Sequence, residues 1–266
     1  MALDAAKEEC QASYDSLNRS LDATMFGKHS YFLNYGYVPD ESPQYAAVTL
    51  PEYCLNKNSV RLVLETIGDC DLHGKRVLDV GCGRGGTVAV LLEYFRPAFV
   101  NAVDLSAAAI AFCRQTHTHP RVRFDQGDAE RLPFDDGVFD VVTNVESSSC
   151  YPNPGAFYAE VWRVLRPGGA FLYTDCLPVE TMEWCARQLP SCGFVVVRDR
   201  DITRNVMRSC DEIARARIDS FDEGRRDERL ANFLGAPGSA NYEHMRAGRW
   251  SYRILTLRKP ATGRLP

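Results

Sequence analysis

Val77-Leu78-Asp79-Val80-Gly81-Cys82-Gly83-Arg84-Gly85-Gly86 is a short apolar run that ends in glycines. The β-branched and aliphatic residues of Arg76–Val80 predict a strand, stopped by turn residues. The glycines let the chain turn sharply and let a ligand approach the backbone, and Thr87–Phe95 then reads as a helix. Gly81, Gly83 and Gly86 also satisfy G-x-G-x-x-G, a weak motif by itself that suggests a dinucleotide dehydrogenase.

Outward from this turn, strands and helices alternate. Further strands are expected at Ala98–Val103, Val122–Phe124, Val138–Val145, Gly169–Thr174, Phe194–Val197 and Trp250–Leu257. Helices are expected at Ala107–Arg114, Gly155–Leu165 and about 179–189. That alternation predicts an α/β fold, a seven-stranded and mostly parallel sheet with helices on both faces and binding loops at the strand C-termini. Before it, residues 3–24 carry an apolar stripe at helical spacing (Leu3, Ala6, Cys10, Tyr14, Leu17, Leu21), then an aromatic loop 31–37 and a helix over about 50–68. Residues 203–248 break the alternation and are too long for a simple connection, so a helical lid inserted before the last strand is expected. The expected division is an N-terminal helical cap segment over 1–70, a core over 71–202, the lid over 203–248, and the last strand with a tail over 249–266.

The chain has 266 residues, 45% hydrophobic and 25% charged, with a net charge of −4. That balance gives no broad attraction to nucleic acid or anionic membrane. No apolar run reaches bilayer length, and the first residues carry no basic segment followed by an apolar one, so neither a stable membrane insertion nor a secretory signal is expected. Ten cysteines show no C-x-x-C pair and no zinc spacing. They read as reduced thiols of a cytoplasmic protein without a metal. His117-Thr118-His119 lacks nearby carboxylates for a metal site. His73, His117 and His119 read as surface residues, and the oligomeric state is open.

Three acids separate the ligand classes. Asp79 lies two residues before the first glycine, where an anion repels a pyrophosphate but suits a ligand carrying an amino group and a sulfonium. Asp104 ends the second strand and can accept both hydroxyls of a ribose. Asp128, in Gly127-Asp128-Ala129-Glu130-Arg131-Leu132-Pro133-Phe134, can accept the amino group of an adenine.

The series LDVGCGRGG, AVDLS, GDAERLPF, FDVVTNVESS and VLRPGG, in order across about residues 75–175, resembles the class I S-adenosylmethionine-dependent methyltransferases of Rossmann-like fold. Phe32-Leu33-Asn34-Tyr35-Gly36-Tyr37, Asn144-Val145-Glu146 with Cys150-Tyr151-Pro152, and Ser251-Tyr252-Arg253 extend the resemblance to the phthiotriol dimycocerosate O-methyltransferase group and related natural-product methyltransferases. The resemblance implies S-adenosyl-L-methionine as cofactor and a small, apolar hydroxylated acceptor such as a polyketide or lipid. It implies that Asp79 and Gly81, Cys82, Gly83 and Gly85 hold the methionine portion, Asp104 and Leu105 the ribose side, and Asp128 and Ala129 the adenine. It also implies that Asn144 lines the floor near the transferred methyl and that Glu146 stands near the acceptor. C- or N-methylation, and a cyclase that binds the cofactor without transferring methyl, remain alternatives.

A hydroxyl acceptor needs its proton removed. Sugar methyltransferases of this resemblance carry a histidine pair where this chain has Ser149 and Cys150, while Asp175 is retained. Glu146 is therefore the first candidate base, with Asp175 and His29 behind it; His244 in the lid is a further histidine within reach. Tyr31, Phe32, Tyr35 and Tyr37 either pack the N-terminal helices or offer a ring face to a cation, which makes Tyr35 a candidate cofactor contact.

Overall fold

A computed structural model describes residues 2–22, 31–40, 48–52, 54, 56–217, 231–232 and 235–261. Helix α1 (Ala2–Asp22) and helix α2 (Lys57–Ile67) precede the sheet. Strands β1 (Arg76–Val80), β2 (Phe99–Asp104), β3 (Val122–Gln126) and β4 (Phe139–Val145) follow, with α3 (Gly86–Val90, continued by a π-turn at Leu91–Phe95) and α4 (Ala107–Thr116) between them. Then come α5 (Pro154–Val164), β5 (Leu165–Pro178), α6 (Val179–Ser191), β6 (Val195–Asp201), α7 (Thr203–Arg217), α8 (Ala240–Arg246) and β7 (Trp250–Arg258). The seven strands form one sheet in the order β3-β2-β1-β4-β5-β7-β6. β7 is antiparallel to both β5 and β6, and the other pairings are parallel.

Two apolar layers sandwich the sheet, and the period-2 alternation of each strand feeds both. Val77, Val141, Leu172 and Ile254 join α2, α3 and α4 on one face. Their neighbours Leu78, Val142, Phe171 and Leu255 join α5 and α6 on the other. The chain reverses winding between β1 and β4, so the crevice at their C-terminal ends is the topological switch point where such sheets bind ligands.

Several boundaries differ from the sequence reading, those of β5 and β6 for a tertiary reason. β5 begins at Leu165 and not at Gly169, because Leu165 pairs with Phe139 and Gly168 donates to the Lys259 carbonyl at 2.9 Å. β6 runs on through Arg198-Asp199-Arg200-Asp201, where cross-strand pairing and an Asp199–Arg253 ion pair outweigh poor strand propensity. α2 starts only at Lys57. On α1 the core-facing side is mixed: Ala6 is exposed, while Asn18 is buried. α7 packs on the segment 35–40, with Ser209 Oγ donating to the Tyr35 carbonyl (2.8 Å) and Asn205 Nδ2 to that of Val38 (2.9 Å). Among the described residues no helix is long and apolar enough to cross a membrane.

Candidate active site

A cavity of about 250 Å³ opens at the switch point, lined by the glycine turn, the ends of β2, β4 and β5, the loop after β3, the aromatic loop and α1. The turn itself is forced by local geometry. Gly81 has φ +71°, and a Cβ there would collide with Ser147 Oγ and the Tyr151 hydroxyl. No other residue fits so close to the loop after β4. The N–H groups of Gly81 and Cys82 reach across to the Val103 carbonyl (2.8 and 3.0 Å), which brings the ends of β1 and β2 together.

Gly81, Cys82, Gly83, Asp104, Leu105, Asp128, Ala129, Tyr35, Glu146 and Asp175 all line this cavity. Asp79, Gly85 and Asn144 do not, and stand behind its wall. Asn144 was expected on the floor; instead it is fully buried and its Nδ2 donates to Val80 O (2.9 Å), Ser147 Oγ (2.6 Å) and the Tyr151 hydroxyl (3.1 Å). A short amide on a central strand reaches the backbone next door and so orients Ser147 and Tyr151, which do line the cavity. Asp79 accepts from Thr143 Oγ1 at 2.6 Å, and burial pushes its carboxyl up to about 7. Its Oδ2 and Asn144 Oδ1 are buried acceptors with no partner, both flanking the glycine turn. Unsatisfied buried acceptors beside a cavity suit a ligand that carries ammonium and sulfonium charge. Gly85 caps α3 with φ +82°, backed by His117.

Asp104 is half-buried and accepts from Gly83 N and Ser106 N, both at 2.8 Å. Burial raises its pKa and these two N–H donors lower it. Asp128 accepts from Lys7 Nζ at 2.7 Å and from Glu130 N at 2.9 Å. Lys7 also pairs with Glu130 at 2.6 Å, so α1 crosses the cavity rim directly over this loop. Arg84, fully buried in the glycine turn, donates to Asn18 (3.1 Å) and Asp22 (2.8 Å) of α1 and lies 3.5 Å over the Phe112 ring.

At the other end, Glu146 follows β4 in the left-handed region at φ +50°, a conformation that costs a non-glycine residue about 1–2 kcal/mol. Its Oε1 accepts from Tyr35 N at 2.8 Å and from the Tyr252 hydroxyl. Burial pushes the carboxyl up to about 8; the Tyr252 and Tyr35 donors oppose that rise and the Asp175 charge adds to it. Asp175, pushed up to about 6 by burial, accepts on Oδ2 from Ser148 Oγ (2.6 Å) and Ser148 N (2.8 Å), and on Oδ1 from Cys176 N (2.7 Å). It thus holds the turn Ser148–Cys150 in place.

Tyr35 meets this network through its backbone, while its hydroxyl donates to Asn232 O at 3.1 Å and accepts from Asn241 Nδ2 at 3.0 Å. His29 lies outside the described residues. His244 turns away, stacking on Trp250 with ring centroids 5.4 Å apart and accepting from Arg249 Nε at 2.9 Å. His117 is half-buried, not freely exposed: its Nε2 donates to the Arg84 carbonyl (2.8 Å) among the rings of Tyr31, Phe112 and Phe124, and burial lowers its pKa. Tyr252 and Lys7 entered no sequence expectation as site residues. The Ser251-Tyr252-Arg253 segment was the signal for the first; nothing local marks the second.

A methyltransferase domain model matches residues 78–173. The chain is 40% identical to a fatty-acid O-methyltransferase of Mycolicibacterium smegmatis, over 86% of this chain and 84% of the relative. It is 35% identical to a phthiotriol/phenolphthiotriol dimycocerosates methyltransferase of Mycobacterium tuberculosis, over 86% and 85% of the two chains. This chain belongs to the S-adenosylmethionine-dependent methyltransferases. A geranyl diphosphate C-methyltransferase from Streptomyces coelicolor, solved with S-adenosylhomocysteine, shares the methyltransferase fold at a TM-score of 0.64 and 20% identity, over 92% and 98% of the chains. S-adenosylmethionine is the cofactor of this methyltransferase, and the dehydrogenase alternative falls with that membership.

Proposed function

We propose that this methyltransferase methylates a hydroxyl oxygen of a lipid-like or polyketide acceptor, with Glu146 as the base. One relative is named for methylation of a fatty acid on oxygen and the other for methylation of phthiotriol and phenolphthiotriol dimycocerosates; the hydroxyl is this reading's own choice of acceptor oxygen. The observation that carries the reading is the Glu146 carboxyl at the cavity, held by Tyr35 N and the Tyr252 hydroxyl and raised to about 8. A carboxyl in that range combines an appreciable ionised fraction at neutral pH with the basicity to take a hydroxyl proton. The strained φ of Glu146 supports the same reading, since such outliers collect at functional positions.

S-adenosylmethionine supplies, when bound, an electrophilic methyl on a sulfonium. The residues of the chain bind, orient and exclude water. In this reading the Gly81–Gly83 backbone, with the open acceptors of Asp79 and Asn144 behind it, takes the methionine end. Asp104 and Leu105 take the ribose side, and Asp128 and Ala129 the adenine. Residues 31–40, α7 and α8 form the acceptor-side cap, tied to one another through Tyr35, Ser209 and Asn241. Asp175 positions the Ser148–Cys150 turn, and His29 is the remaining candidate base.

Incubation with labelled cofactor and a hydroxylated long-chain acceptor tests the proposal: an O-methyl product is expected, and a C-methylated product or one of unchanged mass overturns it. Tyr252 is a positioning residue for Glu146. Tyr252→Phe removes one donor to the carboxylate, so the acid limb of the rate profile is expected to move up by about one pH unit. Turnover lost at pH 7 should return at higher pH. A uniformly lowered profile with an unmoved limb would mean that Tyr252 is merely structural.

A further inference from the structure

The glycine turn spends its N–H groups inside the protein. Those of Gly81 and Cys82 go to the Val103 carbonyl, that of Gly83 to Asp104 Oδ2, and that of Gly85 to the Cys82 carbonyl at 2.9 Å. The Arg84 guanidinium, the cation of the turn, is directed into α1. An anionic ligand group at this end of the cavity therefore needs donors from another element. Ser147 and Tyr151 stand there: both line the cavity, and both hydroxyls lie against Gly81. Their aim is set by the core. The Tyr151 ring packs edge-on to Phe157 with centroids 4.8 Å apart, and its backbone N donates to the Ser148 carbonyl at 3.0 Å.

Asn144, Ser147 and Tyr151 bring two amide hydrogens and two hydroxyl hydrogens to one cluster. The nearest acceptors of the Asn144 amide are Ser147 Oγ at 2.6 Å and the Val80 carbonyl at 2.9 Å. One hydroxyl hydrogen closes the 2.8 Å contact between Ser147 Oγ and the Tyr151 hydroxyl. The other has, among the described residues, only a 3.3 Å contact from Ser147 Oγ to the Val80 carbonyl, which already accepts from Asn144. When Ser147 instead donates to Tyr151, the spare hydrogen is that of the Tyr151 hydroxyl, and the cavity is where it can go. Burial pushes this hydroxyl well above its ordinary range, so it keeps its proton. We propose, resting on the placement of the methionine end of the cofactor at the glycine turn, that the Ser147–Tyr151 hydroxyl pair holds the carboxylate of that end. The Tyr151 hydroxyl donates to it, and Ser147, fixed by Asn144, orients Tyr151. The open acceptors Asp79 Oδ2 and Asn144 Oδ1 suit the ammonium of the same amino-acid group, so donor and acceptors divide its two charges.

Calorimetric titration of the full chain tests this with three ligands. They are S-adenosylhomocysteine, its decarboxylated analogue, which keeps the ammonium, and methylthioadenosine, which lacks the amino-acid group. Tyr151→Phe keeps the ring against Phe157. It is expected to weaken S-adenosylhomocysteine binding about tenfold or more and to leave the other two ligands within about twofold. Ser147→Ala should weaken the same ligand selectively, and it decides alone if Tyr151→Phe does not fold. An equal loss on all three ligands would mean a merely structural role. A loss shared by the decarboxylated analogue would assign the hydroxyl pair to the ammonium, and unchanged affinities would remove the pair from the site. Each of these results overturns the proposal. Wild-type binding of S-adenosylhomocysteine and methylthioadenosine keeps such a failure separate from the assignment of the cavity. A wild-type chain that binds neither overturns both.

Discussion

Glu146→Gln is expected to lower turnover by about 10²–10⁴ while leaving the affinity for S-adenosylhomocysteine nearly unchanged. The substitution keeps the shape of the side chain and the Oε1 acceptor for Tyr35 N and the Tyr252 hydroxyl. It removes only the ability to take a proton. Glu146 lies at the β4 end of the cavity, away from the acids at the ends of β2 and β3, so the adenosine side should not sense the change. Steady-state turnover beside calorimetric affinity checks this. A variant with wild-type turnover assigns Glu146 a structural role, and Asp175→Asn and a His29→Ala variant then show whether another group takes the proton.

Asp104→Ala is expected to weaken cofactor binding by roughly tenfold or more, and here two effects add. The carboxylate is the expected partner of the ribose hydroxyls, and charge-assisted hydrogen bonds of that kind are worth about 1.5–3 kcal/mol each. It also accepts from Gly83 N and Ser106 N, so its loss frees two N–H groups at the glycine turn and at the start of α4. Asp104→Asn keeps one acceptor oxygen and should fall between the two. Titration with S-adenosylhomocysteine measures both, and an unchanged dissociation constant for the alanine variant would remove Asp104 from the cofactor site.

The glycine turn, the three acids and the seven strands were legible in the sequence because each is written locally. A β-branched run, a glycine at a tight reversal and an acid at a strand end need no knowledge of distant residues. Glu146 was legible for the same reason, since ligands bind beyond the carboxyl ends of such strands. What surrounds it was not. The Tyr252 hydroxyl reaches Glu146 from a strand more than a hundred positions away, and Lys7 meets Asp128 across a similar span. Such contacts follow from sheet order, which no periodicity encodes. Asn144 shows the converse: its place at the end of β4 was correctly read, yet its side chain turned inward because buried backbone carbonyls and hydroxyls must be satisfied. His117, polar and close to a helix end, reads as exposed in sequence but is half-buried against three aromatic rings brought together by tertiary packing.

The dependence of kcat/KM on pH, measured with a hydroxylated long-chain acceptor, tests the role of Glu146 most directly. That ratio reports the ionisation of the free enzyme. With Glu146 as the base, it should rise with pH and level off above an apparent pKa near 8, where burial holds the carboxyl. Glu146→Gln should flatten this limb. A profile that falls as pH rises through 8 would contradict the account, because it would mean that the neutral carboxyl is the working form, donating a hydrogen bond to an acceptor that arrives already ionised.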